Sequence, residues 1–434
     1  MNILIRQEDK NIWERRAPLV PEDVQKIKNE TDVTVFVEKS PKRVFTEDEY
    51  RQAGAQITDS MEPGEIIFGV KEIPKEKILD NKVYFFFSHT IKGQKDNMPM
   101  LQKIMDSGST LIDYEKITDD QGRRLVFFGR YAGDAGALDI LWLMGEYWQN
   151  KGLQTPFAKC KQANQYHSVE EAKKFLTSVG QEIKTNGLPQ ELAPFTIGIL
   201  GYGNVSQGAQ QIFDCLPTKR VAPEELADLV KGNAWDNKTV YVTVFKEEHL
   251  VRHKQGEAFD LQDYYQHPEK YEARFEQYLP YLTILVNATY WTSRYPRFVT
   301  WDGLKRLFES DPNPKLSGIA DITCDINGSI ECNVKATDSG MPAYRVLPLE
   351  RRIEDGHKGN GIVLLAVDNL PAELPRDAST FFSHQLTPFV PGVVRADFSR
   401  PLAESGLPEE IKRAVIVYNG QLTESYRYLE QYLS

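Results

Sequence analysis

Cysteine is scarce: Cys160, Cys215, Cys324 and Cys332 are the only four in 434 residues. They are too few and too scattered for a disulfide framework, and Cys324 and Cys332 lack a second pair at zinc-site spacing, so no metal centre is expected. All four read as structural thiols, with a place in a cofactor loop as the alternative for Cys215. Long apolar runs are also missing. No stretch of about 18 apolar residues occurs, which excludes a membrane-crossing helix. Positive charge is in deficit, with 52 lysines and arginines against 62 acids and a formal net charge of −10. That balance argues against nucleic-acid or anionic-membrane partners. The first residues lack the apolar core of a secretory leader and carry acids early, unlike a transit peptide, so a cytoplasmic location is expected. No internal repeat or low-complexity tract interrupts the chain.

What the chain does have is alternation. Short β-branched or aromatic runs at 3–5, 33–37, 65–70, 83–87, 110–112 and 125–128 predict strands, with helical segments at 21–30 and 97–106 between them. Residues 134–150 are apolar at helical spacing, and a further helix is expected over 168–185, before Pro189 and Pro194 break the chain. A second series of strands follows at 195–200, 240–245, 282–287, 317–321 and 362–367. Residues 217–281 are rich in charge and tyrosine, which predicts a surface insertion around the sheet. The last segment, 408–433, has helical periodicity with several tyrosines and is expected to pack on the first domain. Such alternation predicts an α/β protein with mainly parallel sheets.

The run from Phe195 into Gly201-x-Gly203 carries the sharpest local signal. A buried strand enters the glycines and helix-forming residues leave them, the context that a dinucleotide fingerprint physically requires. Gly201 suits the tight turn, and Gly203 lets the amides of Asn204, Val205 and Ser206 approach a pyrophosphate at the helix N-terminus. Ser206 occupies the usual third glycine position and is small enough for close packing. The acid that binds a ribose diol should end the next strand. Here Lys246 follows residues 240–245, with Glu247 after it. A cation there pairs with a 2′-phosphate, so NADPH is favoured over NADH, unless Lys246 is only a solvated surface lysine.

Polar clusters end three strands of the first half: Trp13-Glu-Arg-Arg-Ala-Pro-Leu19, Gly69-Val-Lys-Glu72 and Phe85-Phe-Phe-Ser-His89. Ligands of open α/β sheets bind beyond the carboxyl ends of strands, so Lys71 and His89 converge on one crevice if their strands are neighbours. The chain here resembles the L-lysine-forming saccharopine dehydrogenases of the lysine–ketoglutarate reductase type, within the alanine dehydrogenase and transhydrogenase fold group. The likeness is carried by Arg6-x-x-x-Lys10 with Trp13 to Leu19, Gly69-Val-Lys-Glu-Ile-Pro74, Phe86-Phe-Ser-His-Thr-Ile-Lys92, Leu111-Ile-Asp-Tyr-Glu115 and Phe128-Gly-Arg-Tyr-Ala-Gly133. It continues through Gly201 to Ala209, Asp321 to Glu331, Val367-Asp-Asn-Leu-Pro371 and Pro375 to Ser383.

The resemblance implies reductive condensation of L-lysine with 2-oxoglutarate to saccharopine, or its reverse, with Lys71 and His89 moving protons and Glu72 and Glu115 modulating them. It implies that Arg16, assisted by Lys10, binds a substrate carboxylate. Arg130 either lines the cleft or anchors the helix after it, and Glu115 and Lys10 have surface ion pairs as their plain alternative. Because animal and plant members are usually fused to a glutamate-forming saccharopine dehydrogenase, that activity is expected on another chain. The implied fold is two Rossmann-like domains with parallel sheets separated by a cleft. The first is discontinuous, residues 1–134 plus 375–434, and residues 135–374 form the dinucleotide domain. Two rival readings are an alanine dehydrogenase-like amino acid dehydrogenase and a non-catalytic nucleotide-binding sensor.

Overall fold

The computed structural model describes residues 1–433. The chain divides into two units, Met1–Gly129 with Pro375–Ser434, and Arg130–Leu374. The first crossing lies ahead of residue 134 because the long helix Tyr131–Asn150, expected from 134, begins earlier and belongs wholly to the second unit.

In the first unit an eight-stranded sheet runs in the spatial order Gln421–Leu422, Val415–Tyr418, Thr110–Asp113, Val83–Phe86, Ile66–Phe68, Asn2–Ile5, Thr34–Glu38, Gln56–Thr58. The six strands from the N-terminal part are all parallel, and the C-terminal return adds a hairpin whose first strand, Val415–Tyr418, pairs antiparallel with Thr110–Asp113. Every residue of Val83–Phe86 and Thr110–Asp113 is buried, as strands covered on both faces require. Strand order reverses between Asn2–Ile5 and Ile66–Phe68, which opens a crevice beyond their carboxyl ends. The helix Pro21–Glu30 turns Val24 and Ile27 inward and starts with proline at its first turn. Thr46 and Glu49 form a reciprocal cap on the next helix, Glu47–Gln52.

Two expectations fail in this unit. Residues 125–128 form no strand: the nearest pairing is an isolated bridge between Thr118 and Arg124. Phe128 instead packs its ring on Phe382 at 4.5 Å, so its apolarity serves a side-chain stack. The segment 408–433 is not one helix. Only Glu409–Ala414 is α-helical, Val415–Tyr418 and Gln421–Leu422 form a hairpin, and Glu424–Tyr432 is a 3₁₀ turn. The β-branched run Val415 to Val417 is fully buried against Thr110–Asp113, and Asn419 and Gly420 take the left-handed conformations that a tight hairpin turn needs.

The second unit holds another eight-stranded sheet, ordered Arg352–Asp355, Ala343–Leu347, Ile362–Leu365, Gly318–Asp321, Ile284–Asn287, Phe195–Leu200, Val240–Phe245, Thr218–Arg220. Only Ala343–Leu347 runs against the others, pairing antiparallel with both of its neighbours. The charged stretch 217–281 is therefore not a surface insertion. It supplies the edge strand Thr218–Arg220 and the internal strand Val240–Phe245, then a two-stranded ribbon, Val251–His253 with Tyr271–Ala273. Its Tyr264, Tyr271, Phe275 and Tyr278 are buried in the apolar core, where their rings outweigh the surrounding charge.

The helices Tyr131–Asn150 and Asn204–Phe213 cross at two glycines. A Cβ at Gly133 would sit 1.8 Å from the Val205 carbonyl oxygen, and one at Gly208 2.2 Å from the Arg130 carbonyl oxygen. Backbone cannot yield to such contacts, so Gly133→Ala should destabilise the second unit by about 3 kcal/mol or more, the upper end for an overpacked interior. A denaturant midpoint unchanged from the parent would show that the crossing is looser than described.

Candidate active site

The polar residues of the first unit meet at the crevice where its strand order reverses. Glu8, just beyond Asn2–Ile5, is buried, and its carboxylate accepts the backbone N–H groups of Val70 (2.7 Å) and Lys71 (2.9 Å), just beyond Ile66–Phe68. One side chain thus ties together the two loops that flank the crevice. Burial raises the Glu8 carboxyl above its ordinary range, against the lowering charge of Arg6.

Lys71 and Glu72 follow on that loop, and His89 follows the neighbouring strand Val83–Phe86. His89 Nδ1 lies 2.5 Å from Glu72 Oε1, and Lys10 Nζ lies 3.5 Å from Glu72 Oε2. Burial alone would raise the Glu72 carboxyl. The hydrogen bond and charge of His89, its own backbone and the charge of Lys10 override burial and bring it to about 2. An ionised Glu72 only accepts, so His89 Nδ1 donates to it, which leaves Nε2 as the ring nitrogen that can exchange a proton with a ligand. His89 has φ +48°, a left-handed conformation costly for a residue with a Cβ. Asn97 Nδ2 donates to its carbonyl at 3.1 Å, and the Phe87 ring stacks near the imidazole. Beside this group lies a cavity of ≈ 450 Å³ lined by Asp9, Lys10, Glu72, Lys75, Asp96 and Asn97, among others.

The remaining residues expected in this crevice have partners of their own. Arg16 is buried and already donates twice to Glu14, from Nε at 2.8 Å and Nη2 at 2.6 Å, with its guanidinium 4.0 Å over the Phe128 ring. Its side-on fork, Nε and Nη2, is thus engaged by Glu14. Glu115 pairs with Arg124 and donates its backbone N–H to Asp113. Arg130 stands in the second unit, half exposed, 3.7 Å from Asp134. The sequence reading did not single out Glu8 or Glu14. Both sit inside the polar run after the first strand, where their acids were indistinguishable from solvated ones.

In the second unit the strand order reverses between Phe195–Leu200 and Ile284–Asn287, and the glycine loop leaves the first of these strands. Gly201 has φ +89°, and a Cβ there would lie 2.9 Å from the Ala288 carbonyl oxygen. A Cβ at Gly203 would meet nothing, so the backbone is open to an approaching group. Asn204 and Val205 open the following helix, whose N-terminus has no side-chain cap. Its first amides point to an anion, which fits a pyrophosphate. Ser206 is buried and accepts from Gln210 at 3.0 Å.

A cavity of ≈ 350 Å³ starts at Gly201 and Gly203 and is walled by Glu247, Tyr264, Tyr265 and Tyr290 among others. Tyr265 donates to Glu247 at 2.8 Å. Lys246 is exposed and not on this wall, and its backbone N–H donates to His249. The strand beside the glycine strand is Val240–Phe245 and not the earlier Thr218–Arg220, which takes the sheet edge. Next to the loop, Asn287 Nδ2 donates to Asp321, Thr323 and Ser329, and Asn333 donates to the other Asp321 oxygen, a buried polar network that the sequence reading passed over. Among the described residues no helix is long and apolar enough to cross a membrane.

Because the Glu72 carboxyl is depressed in the folded chain, its pairing stabilises the fold above the unfolded value near pH ~4.3. That stability is lost as pH falls toward about 2. Glu72→Gln should therefore flatten the fall in urea midpoint between roughly pH 5 and pH 3. An identical acid limb in both proteins would mean that the pair carries no stability.

The chain matches the alanine dehydrogenase/PNT N-terminal domain over residues 4–135 and the alanine dehydrogenase/PNT C-terminal domain over residues 269–425. It is 36% identical over 441 aligned residues to the mitochondrial alpha-aminoadipic semialdehyde synthase of Mus musculus, covering 98% of this chain and 47% of that protein. Identity to the alpha-aminoadipic semialdehyde synthase of Arabidopsis thaliana is 38%, over 98% of this chain and 41% of the relative. The chain thus spans about half the length of these curated relatives or less. A saccharopine dehydrogenase [NAD(+), L-lysine-forming] of Emericella nidulans is 28% identical, over 82% of each chain. Among solved structures, an L-alanine dehydrogenase shares the fold with a TM-score of 0.63 at 17% identity, covering the whole of both chains. With a matching model at each end and these similarities along nearly its full length, the chain belongs to the alanine dehydrogenase/PNT family.

Proposed function

We propose that the chain is a nicotinamide-dependent oxidoreductase that condenses L-lysine with 2-oxoglutarate to saccharopine, or runs the reverse. The observation that carries this reading is the His89–Glu72 pair at the strand reversal, with Lys71 on the same loop. The similarity to alpha-aminoadipic semialdehyde synthases and to L-lysine-forming saccharopine dehydrogenases supports the substrate class. More than half of each mammalian and plant relative lies outside the matched region of the same polypeptide, so a second activity on a separate chain is no longer part of the reading.

The chemistry asks for a proton to leave the substrate ammonium before its nitrogen attacks the ketone, and for a proton to reach the carbinolamine hydroxyl as it departs as water. His89 Nε2 does both in turn, because Glu72 fixes the ring and balances its positive charge while it is protonated. Lys71 stands by as the second proton carrier. The cavity beside them presents the cations Lys10 and Lys75 with the acids Asp9 and Asp96, which suits a substrate that carries both a carboxylate and an ammonium. A nicotinamide dinucleotide held by Gly201, Gly203 and the amides of Asn204 to Ser206 supplies the hydride.

In a purified preparation, oxidation of the dinucleotide should depend on lysine and 2-oxoglutarate together and should yield saccharopine by mass. His89→Ala should lower turnover by roughly 10²–10⁴-fold. Activity with pyruvate and ammonia in place of those substrates would move the reading to an amino acid dehydrogenase of the alanine type. No turnover with either pair would leave a nucleotide-binding sensor.

For the ribose end we infer a diol, and so NADH ahead of NADPH, which reverses the preference drawn from Lys246. Glu247 stands on the cavity wall, held by Tyr265, and a carboxylate there accepts two hydroxyls and repels a 2′-phosphate. Glu247→Gln should narrow the NADH over NADPH ratio of kcat/KM by about tenfold, equivalent to ~1.4 kcal/mol. A parent protein that already prefers NADPH overturns this inference without touching the proposed reaction.

A further inference from the structure

The second unit has another cavity, at the opposite end of its strands from the glycine loop. It measures ≈ 400 Å³ and opens at the amino ends of three neighbouring parallel strands. Thr283 precedes Ile284–Asn287, Lys315 and Ser317 precede Gly318–Asp321, and Gly361 precedes Ile362–Leu365. The glycine loop leaves the carboxyl end of Phe195–Leu200, which is parallel to the first of these strands. A four-residue strand therefore separates the two places by roughly 13 Å.

Two lysines line this cavity. Lys315 is partly buried, and its Nζ donates to the Leu192 carbonyl at 3.2 Å. Among the described residues, no carboxylate forms an ion pair with it. Burial without a counter-charge brings its amine down to about 8, so a substantial share is neutral and nucleophilic near physiological pH. Lys151 follows the helix Tyr131–Asn150, exposed, with its ammonium 4.5 Å over the Tyr147 ring. Tyr147 in turn donates to the Gly361 carbonyl at 2.8 Å, and buried Trp148 adds an apolar wall. A simple anion-binding site would keep both cations hydrated. Here one cation is exposed and the other is desolvated, the arrangement that suits an amine meant to react.

We propose that this cavity is a second ligand site, where Lys315 forms a reversible imine with a small carbonyl compound whose carboxylate is held by Lys151. The lone pair of Lys315 Nζ adds to the carbonyl carbon as the C=O π pair moves onto oxygen, giving a carbinolamine. The carbonyl oxygen then leaves as water with the two protons of the amine nitrogen as the C=N bond closes. Nothing is oxidised or reduced, and hydrolysis returns both partners. Occupation at the amino ends of the strands leaves the glycine loop clear, so the ligand does not compete with a dinucleotide there.

The test uses the full chain with limiting glyoxylate and cyanoborohydride, which reduces an imine to a stable secondary amine, followed by peptide mapping. An amine near 8 has on the order of 10² more neutral form than an ordinary lysine at neutral pH. Lys315 should therefore carry at least about tenfold more label than the median lysine. Lys151→Ala should weaken labelling by glyoxylate severalfold and leave labelling by formaldehyde, which has no carboxylate, unchanged. Lys315→Arg should remove the label at an unchanged Tm. Label spread evenly over the lysines overturns the site. Labelling at Lys315 that ignores Lys151 overturns the carboxylate-bearing ligand. The mapping itself uses the unsubstituted protein, so it stands even if the Lys315 variant fails to fold.

Discussion

Glu8 gives both carboxylate oxygens to backbone amides of the loop that carries Lys71 and Glu72. Parallel strands on either side of an order reversal send their connections to opposite faces of the sheet, so the loops beyond them separate. That separation makes the crevice, and it also leaves the two loops without a common backbone ladder. A buried carboxylate bridging them replaces the missing ladder and sets where the next residues point. Glu72 can then meet His89 from the adjacent strand, and Lys10 can approach from the other side. The left-handed backbone of His89 is a strain that such a frame tolerates, since the Asn97 bond to its carbonyl holds it in place.

The second unit solves a different problem. Its glycine loop must hold backbone amides open, and the helix behind it must be fixed without bulk. Gly133 and Gly208 let two helices touch through their backbones, so the helix that presents the amides is seated directly on the longest helix of the chain. Glu247, the acid proposed for the ribose, follows a strand far along the sequence because an edge strand intervenes. Val240–Phe245 pairs directly with the glycine strand, and Thr218–Arg220 lies beyond it at the edge.

Much of this was legible in the residues alone. The parallel strands of both sheets, the long helix, the glycine turn and the proximity of Lys71, Glu72 and His89 all follow from short-range patterns that pair chemistry with element ends. What escaped was of three kinds. The hairpin at Val415–Tyr418 was masked by helical spacing of tyrosines, although Asn419-Gly420 was the turn signal that would have revealed it. The tyrosine-rich stretch 217–281 looked like surface because its charges outnumber its apolar residues, yet aromatic rings bury while the charges stay outside. The pairing of Arg16 with Glu14, two residues away, also went unseen, because a strand or helix pattern predicts no such contact. Side-chain pairing inside loops has no periodicity to betray it.

The first unit is sewn from both ends of the chain. Ser379 and Ser383, on the returning helix Pro375–Leu386, accept the backbone N–H groups of Ala17 and Val20, and Val415–Tyr418 pairs beside Thr110–Asp113. During synthesis the N-terminal strands emerge first but lack these partners until residues 375–422 have followed them. The second unit is continuous in sequence, Arg130–Leu374. The part that emerges first is thus completed last, and until the return arrives Thr110–Asp113 presents an unpaired strand edge, a surface open to wrong pairing.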